Sequence, residues 1–208
     1  MKRLHVNYID MLQVHGPVIS EISDEMLGWL RKLKEEGIAR AIGINTFDTD
    51  VLEWIRDGED GRTFDFVMLD YNILRQDREK LIRDLYENRI GVIAGAPLAQ
   101  SLYSNRVYRI RGLNDIWYLL RAMKNFRGHM IEGRRYRFVN KVEGLTGNQV
   151  ALRYVLDNKY ITSSVFGSVN PEHLVENIKS TELVLPDDVK KRIKTCGKRS
   201  RAKGMDRR

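Results

Sequence analysis

Short apolar runs rich in Val and Ile alternate along the chain with longer stretches whose Leu and Ile recur at helical spacing. The pattern predicts strands over residues 8–14, 39–44, 64–69, 90–94 and 161–166, each buried. Between them, Leu27, Leu30 and Leu33 mark a helix that Ser23 and Asp24 can cap and Gly37 closes. Val51, Leu52 and Ile55 mark a second helix behind Asp48, and Leu81, Ile82 and Leu85 a third. After residue 98 the rhythm breaks for an insertion over 102–143, expected to be helical at 116–123 and irregular and polar at 127–144. A helix returns at 146–156, another runs from the Asn170 cap and Pro171 to about residue 179, and Pro186 precedes a short helix and a tail.

Strands alternating with helices imply right-handed βαβ units and a parallel sheet covered by helices, an α/β fold. A barrel and an open doubly wound sheet both satisfy that pattern. His15, Asn45, Asp70, Pro97 and Gly167 stand at the strand ends. In a (βα)8 barrel such positions share one rim, with phosphate sites after the last two strands, so a TIM-type barrel is favoured. The stretch over 161–179, ITSSVFGSVNPEHLVENIK, fits a strand, a glycine turn and a capped helix whose N-terminal amides suit a phosphate. An ordinary βα loop is the competing reading of those residues alone.

Charge changes the picture at one end. The net charge is +8, and residues 190–208 hold ten Lys or Arg against one acid, Asp206, leaving the rest near −1. A solvated, partly disordered basic tail is expected there, and nucleic acid is not the expected partner. A second basic stretch over 106–137 includes Arg134, Arg135 and Arg137 with Tyr108, Tyr118 and Tyr136 interleaved, unaccompanied by an RNA-binding motif. The single Cys196 falls in the expected mobile tail and receives no catalytic role. No run of about 18 apolar residues and no signal-peptide core is present, so a cytoplasmic protein without membrane contact is expected.

The phrases KRLHVNYIDMLQVH, IARAIGINTFD, FDFVMLDYN, GVIAGAPLAQS and SVFGSVNPEHLVENI, together and in this order, resemble the aldo/keto reductase family over residues 2–180. The resemblance implies an incomplete (βα)8 barrel matching about strands 4 to 8, over residues 1–185, followed by the short helix and basic tail at 186–208. It also implies an oxidoreductase that uses NADPH or NADH, without a metal, to reduce a small aldehyde or ketone by hydride transfer. His15 corresponds to the histidine that orients the carbonyl. Asn45 and Thr46 stand where many members have Ser-Asn for the nicotinamide carboxamide, Met68 replaces a usual glutamine, and Gly95 replaces an aromatic that stacks on the nicotinamide. Pro97, Leu98 and Gln100 fall on the loop over the pyrophosphate. Gly167, Ser168, Asn170 and His173 match positions around the adenosine 2′-phosphate, and Glu176 and Asn177 match the adenine contacts. Gly167 and His173 replace a common lysine and arginine, which leaves the choice between the two cofactors open.

The family's catalytic aspartate, tyrosine and lysine come from earlier strands and helices, before the point where this chain begins. The expectation is therefore an N-terminally truncated family member, inactive as written. The alternative is a non-catalytic nucleotide sensor or scaffold that binds a protein partner, or a second copy, through its open sheet edge and basic tail. Arg106, Arg109 and Arg111 in the insertion are candidate anion contacts near a substrate pocket.

Overall fold

The computed structural model describes residues 5–103 and 131–205. The predicted helix at 116–123 and the arginines at 106, 109 and 111 lie outside the described residues. The chain divides into two compact units, one of Met1–Asp70, Arg78–Gly95 and Tyr160–Ser163, the other of Tyr71–Asp77, Ala96–Lys159 and Ser164–Arg208.

In the first unit, strands β1 (Ile9–His15), β2 (Ala39–Asn45), β3 (Phe66–Asp70) and β4 (Gly91–Gly95) pair in parallel in sequence order. Helices α1 (Asp24–Glu35), α2 (Thr49–Asp57) and α3 (Glu79–Glu87) supply the crossovers. The central strands bury Ile42, Ile44, Val67, Leu69, Val92 and Ala94 completely, and Leu52, Ile82 and Leu85 of the helices are equally dry. β2 and β3 pack so closely that a Cβ on Gly43 would meet the Phe66 ring at 2.2 Å. Glycine is required there because the aromatic ring, itself 6% exposed, lies against bare backbone. β5 (Ser163–Val165) completes a five-stranded sheet in the order β1-β2-β3-β4-β5.

The expectation of five buried strands is corrected at both ends of that order. On β1, Met11 is 51% exposed, and β5 is three residues rather than six, with Val165 49% exposed. A strand at the end of the sheet order has a neighbour on one side only, so its side chains and outer amides meet water.

The second unit packs α4 (Gly147–Leu156) and α6 (Asp187–Met205) around Tyr136, Val139, Val150, Val155 and Ile193, whereas α5 (Pro171–Ile178) buries Asn177 and leaves Leu174, Val175 and Ile178 exposed. The polar stretch expected to be irregular contains a 3-10 helix, Arg134–Lys141. Its three-residue turn carries Tyr136 and Val139 to one buried face. α6 corrects the reading of a short helix and mobile tail, since it extends for 19 residues. Val189, Ile193 and Gly197 recur every fourth residue on its buried face. Gln76 Nε2 donates to the Ile193 carbonyl at 3.2 Å and to the Ile73 carbonyl at 2.6 Å, while Gln76 Oε1 accepts from the Tyr154 hydroxyl at 3.2 Å. A Cβ at Gly197 would lie 2.5 Å from Gln76 Oε1. Cys196 is accordingly half-buried on a packed helix, its Sγ 3.9 Å from the Arg135 carbonyl.

An ion cluster fastens α6 to α4. Asp157 receives Lys190 Nζ at 2.8 Å and Arg153 Nη2 at 2.5 Å. Partial burial opposes the Asp157 charge, but the hydrogen bonds and charges of Lys190 and Arg153 prevail and hold its carboxyl below the ordinary range. A pKa lowered by folding stabilises the protein above the unfolded value of about 4, and that contribution disappears as pH falls through the folded value. Thermal melts of the wild type and Asp157→Asn should therefore differ most near neutrality and converge below pH ~4. A gap that stays constant with pH would refute the assignment.

Candidate active site

In the first unit the C-terminal ends of β1, β2 and β3 lie in register, with His15 opposite Asn45 and Asn45 opposite Met68. Asn45 Nδ2 lies 3.1 Å from His15 Nδ1. With the amide nitrogen donating, Nδ1 accepts and a neutral ring holds its proton on Nε2; with the amide turned over, Nδ1 donates to Oδ1 instead. His15 itself is exposed at the end of β1. The turn after it is fixed by Gly16, whose φ of 64° suits glycine and whose N–H donates to the Asn45 carbonyl at 2.7 Å.

Thr46 is only 3% exposed, and its Oγ1 accepts from the Asp48 amide at 3.1 Å. One lone pair of that hydroxyl is thus committed to the turn opening α2. Met68 and Gly95 behave as one packing pair. A Cβ on Gly95 would come within 3.1 Å of Met68 Cε, so the thioether occupies space that an aromatic at 95 would contest. Asp70, ending β3, lies 3.3 Å from Arg78 Nη1, and Arg78 also donates to the Phe47 carbonyl.

In the second unit, Pro97 is buried and Gln100 exposed in the turn after β4. Ala96, Ala99, Gln100 and Ser101 take φ of 50°, 45°, 52° and 56°. Left-handed backbone costs non-glycine residues about 1–3 kcal/mol each and persists only where neighbours hold it. Here Asn72 Nδ2 donates to the Ala96 carbonyl at 3.1 Å, and Asn148 Oδ1 accepts from the Ser101 and Tyr103 hydroxyls at 3.4 and 2.9 Å. Burial pushes the Tyr103 hydroxyl well above its ordinary pKa, so it stays a donor.

At the N-terminus of α5, Asn170 Oδ1 accepts from the Glu172 amide at 2.9 Å, and Ser168 Oγ is 3.1 Å from both the amide and the carbonyl of Asn170. Gly167 is exposed, and a Cβ there would meet nothing within 4 Å. His173 is half-buried on the first turn. Glu176 accepts from the Thr146 hydroxyl, and its carbonyl accepts from Gln149 Nε2 at 3.3 Å. Asn177 is 1% exposed, and its Oδ1 is buried without a hydrogen-bond partner among the described residues.

The structure therefore brings His15 to Asn45 and Ser168 to Asn170, and turns Thr46 into its own loop. Sequence reasoning missed Arg78, Tyr103, Thr146 and Asn148 as supports. Only Thr146 carried a signal, as the cap of a capping box with Gln149. Among the described residues no helix is long and apolar enough to cross a membrane, and no group of three or more His, Cys, Asp or Glu could hold a metal ion.

Comparison with known proteins gives the same architecture. The sequence is 28% identical to L-galactose dehydrogenase of Arabidopsis thaliana over 88% of this chain and 56% of that protein. It is 27% identical to the NADH-specific methylglyoxal reductase of Escherichia coli (strain K12) over 90% of this chain and 58% of that one. The chain thus spans less than two thirds of the length of these relatives. The fold superimposes on the apo form of aldo-keto reductase AKR11C1 from Bacillus halodurans with a TM-score of 0.71 at 22% identity, covering 94% of this chain and 64% of that one. This is an α/β fold of the incomplete (βα)8 type, and the Escherichia coli relative is by its name NADH-specific. The sequence model of the aldo/keto reductase family matches residues 1–198, and the chain belongs to that family.

Proposed function

We propose that this polypeptide supplies the carbonyl-orienting histidine and the dinucleotide-binding residues of a cytoplasmic NAD(P)H-linked carbonyl reductase. The observation that carries this reading is the hydrogen bond between Asn45 and His15. It ties the Nδ1 edge of an exposed imidazole to β2 and leaves the Nε2 edge for a substrate, where a donated N–H stabilises negative charge developing on a carbonyl oxygen. With the amide nitrogen donating to His15, Asn45 Oδ1 remains to accept from a carboxamide.

The residues present fit a dinucleotide. The orphaned Asn177 Oδ1 costs about 1–3 kcal/mol while unpaired, and an exocyclic amine would satisfy it once the closed side chain turns out toward the ligand. Glu176 offers a second acceptor, and Gly167 leaves its surroundings open. When bound, the nicotinamide supplies the hydride. This chain's residues hold and orient, with His15 donating to the substrate oxygen. Small aldehydes and ketones are the substrates to assay, methylglyoxal among them by analogy with the Escherichia coli relative.

By the resemblance, the family's tyrosine acid comes from a part of the barrel that precedes the matched strands, and general-acid catalysis of that kind is worth about 10²- to 10⁴-fold in rate. Titrating the folded chain with NADH and NADPH, followed by a reductase assay, tests the proposal. Saturable binding with little turnover is expected. A folded chain that binds neither nucleotide would overturn it. The non-catalytic sensor reading shares the binding result, and the exposed Met11 on β1, with the exposed Tyr8 just before it, favours a protein partner or second copy on that strand. Sedimentation of the nucleotide-bound chain separates these states.

A further inference from the structure

The second unit carries a basic groove that the reductase reading leaves unused. The groove has a volume of about 680 Å³ and runs between the 3-10 helix Arg134–Lys141 and the start of α6. Five cations line it, Arg134, Arg135, Arg137, Lys141 and Arg192, against two carboxylates, Glu143 and Asp188. The Arg192 guanidinium stacks on the Phe138 ring with its carbon 4.0 Å from the centroid. Beyond it, Lys191, Lys194 and Lys198 continue the exposed face of α6.

We propose that this groove binds the phosphate backbone of single-stranded nucleic acid, without sequence preference. Three features support that occupant. First, the cations are displayed by packed elements: Tyr136 and Val139 anchor one wall, and Ile193 and Gly197, held against Gln76, anchor the other. Fixed positive charge focuses a field that a mobile tail would spread. Second, a planar guanidinium lying on a phenyl ring is a platform on which a nucleobase stacks beside its own phosphate. Third, the site does not suit an anionic bilayer. The groove is concave, and among the described side chains of α6 the apolar Val189 and Ile193 are buried, so they offer no apolar stripe to a lipid surface.

The test measures fluorescence anisotropy of a dye-labelled single-stranded RNA of roughly 20 nucleotides with the full chain across a salt series. If three to five phosphates are neutralised, affinity should fall roughly 20- to 100-fold between about 50 and 200 mM salt. The variant Arg135→Glu/Lys141→Glu/Arg192→Glu should weaken binding by about 30-fold or more, while Lys32→Glu/Arg62→Glu/Arg83→Glu, with the same change in net charge, should weaken it by less than about threefold. All six side chains are exposed, so folding is retained, checked by matched melting curves. Equal losses in the two variants, no binding by the intact chain at low salt, or capture by phosphatidylserine vesicles but not by RNA would each overturn the proposal. Because the readout is RNA and not nucleotide cofactor, failure here leaves the reductase reading untouched.

Discussion

Replacing Arg78 with alanine is expected to destabilise the protein by about 3–5 kcal/mol, a shift of roughly 1.5–2.5 M in the urea midpoint. Arg78 is 5% exposed and Asp70 7%, and they face each other at 3.3 Å. They stand where the chain leaves the first unit at Asp70 and re-enters it at Arg78. The pair therefore fastens the end of β3 to the start of α3, and Arg78 ties the same point to the Phe47 carbonyl. Truncation leaves a carboxylate in a dry site without its guanidinium, which costs more than the attraction itself. The control is Asp70→Asn with Arg78→Met. With both charges gone, most of the lost stability should return. A midpoint for Arg78→Ala within error of wild type would show that water reaches Asp70 and that the pair does not hold the loop.

That pair also shows what the sequence could not convey. Helix starts were legible because a cap is a local interaction. Ser23, Asp48, Thr146 and Asn170 each accept a backbone N–H two or three residues ahead, as their residue types imply. The central strands were legible because β-branched runs buried on both faces need no partner to be recognised, and β2 falls within one residue of its expected span. Arg78 was not legible, since an arginine before a helix reads as solvated until the loop brings Asp70 back beside it. The contact between His15 and Asn45 depends on the register of two strands separated by a whole helix, so the sequence could place both at strand ends without joining them. The C-terminal helix was misread for a related reason. Charge dominates its composition, and the packing signal is three small or apolar residues four apart, of which one is glycine. Glycine costs a free helix about 1 kcal/mol, yet here it is what lets α6 close on Gln76.

The double substitution Gly167→Lys/His173→Arg is expected to raise affinity for NADPH by about 10²-fold while leaving NADH within about threefold. In the proposed dinucleotide site the 2′-phosphate is the only difference between the two cofactors. A glycine offers that phosphate no side chain, and an imidazole lacks the permanent charge and the forked donors of a guanidinium. An ammonium and a guanidinium each add a charge-assisted bond of about 1.5–3 kcal/mol, part of which is lost to ordering exposed side chains. Both replacements can be accommodated. Position 167 is open and has no left-handed φ to strain a side chain, and His173 sits on the first turn of α5, where an arginine can reach past the helix N-terminus. The added affinity should weaken as salt rises, whereas NADH binding should respond little. Equal gains for the two nucleotides would mean that the new charges meet the pyrophosphate instead. No gain for either, in a chain that still binds NADH, would place the adenosine away from α5 and remove Gly167 and His173 from the site. A selective gain would show that a lysine and an arginine, and not the fold around them, are what set the cofactor choice on this helix.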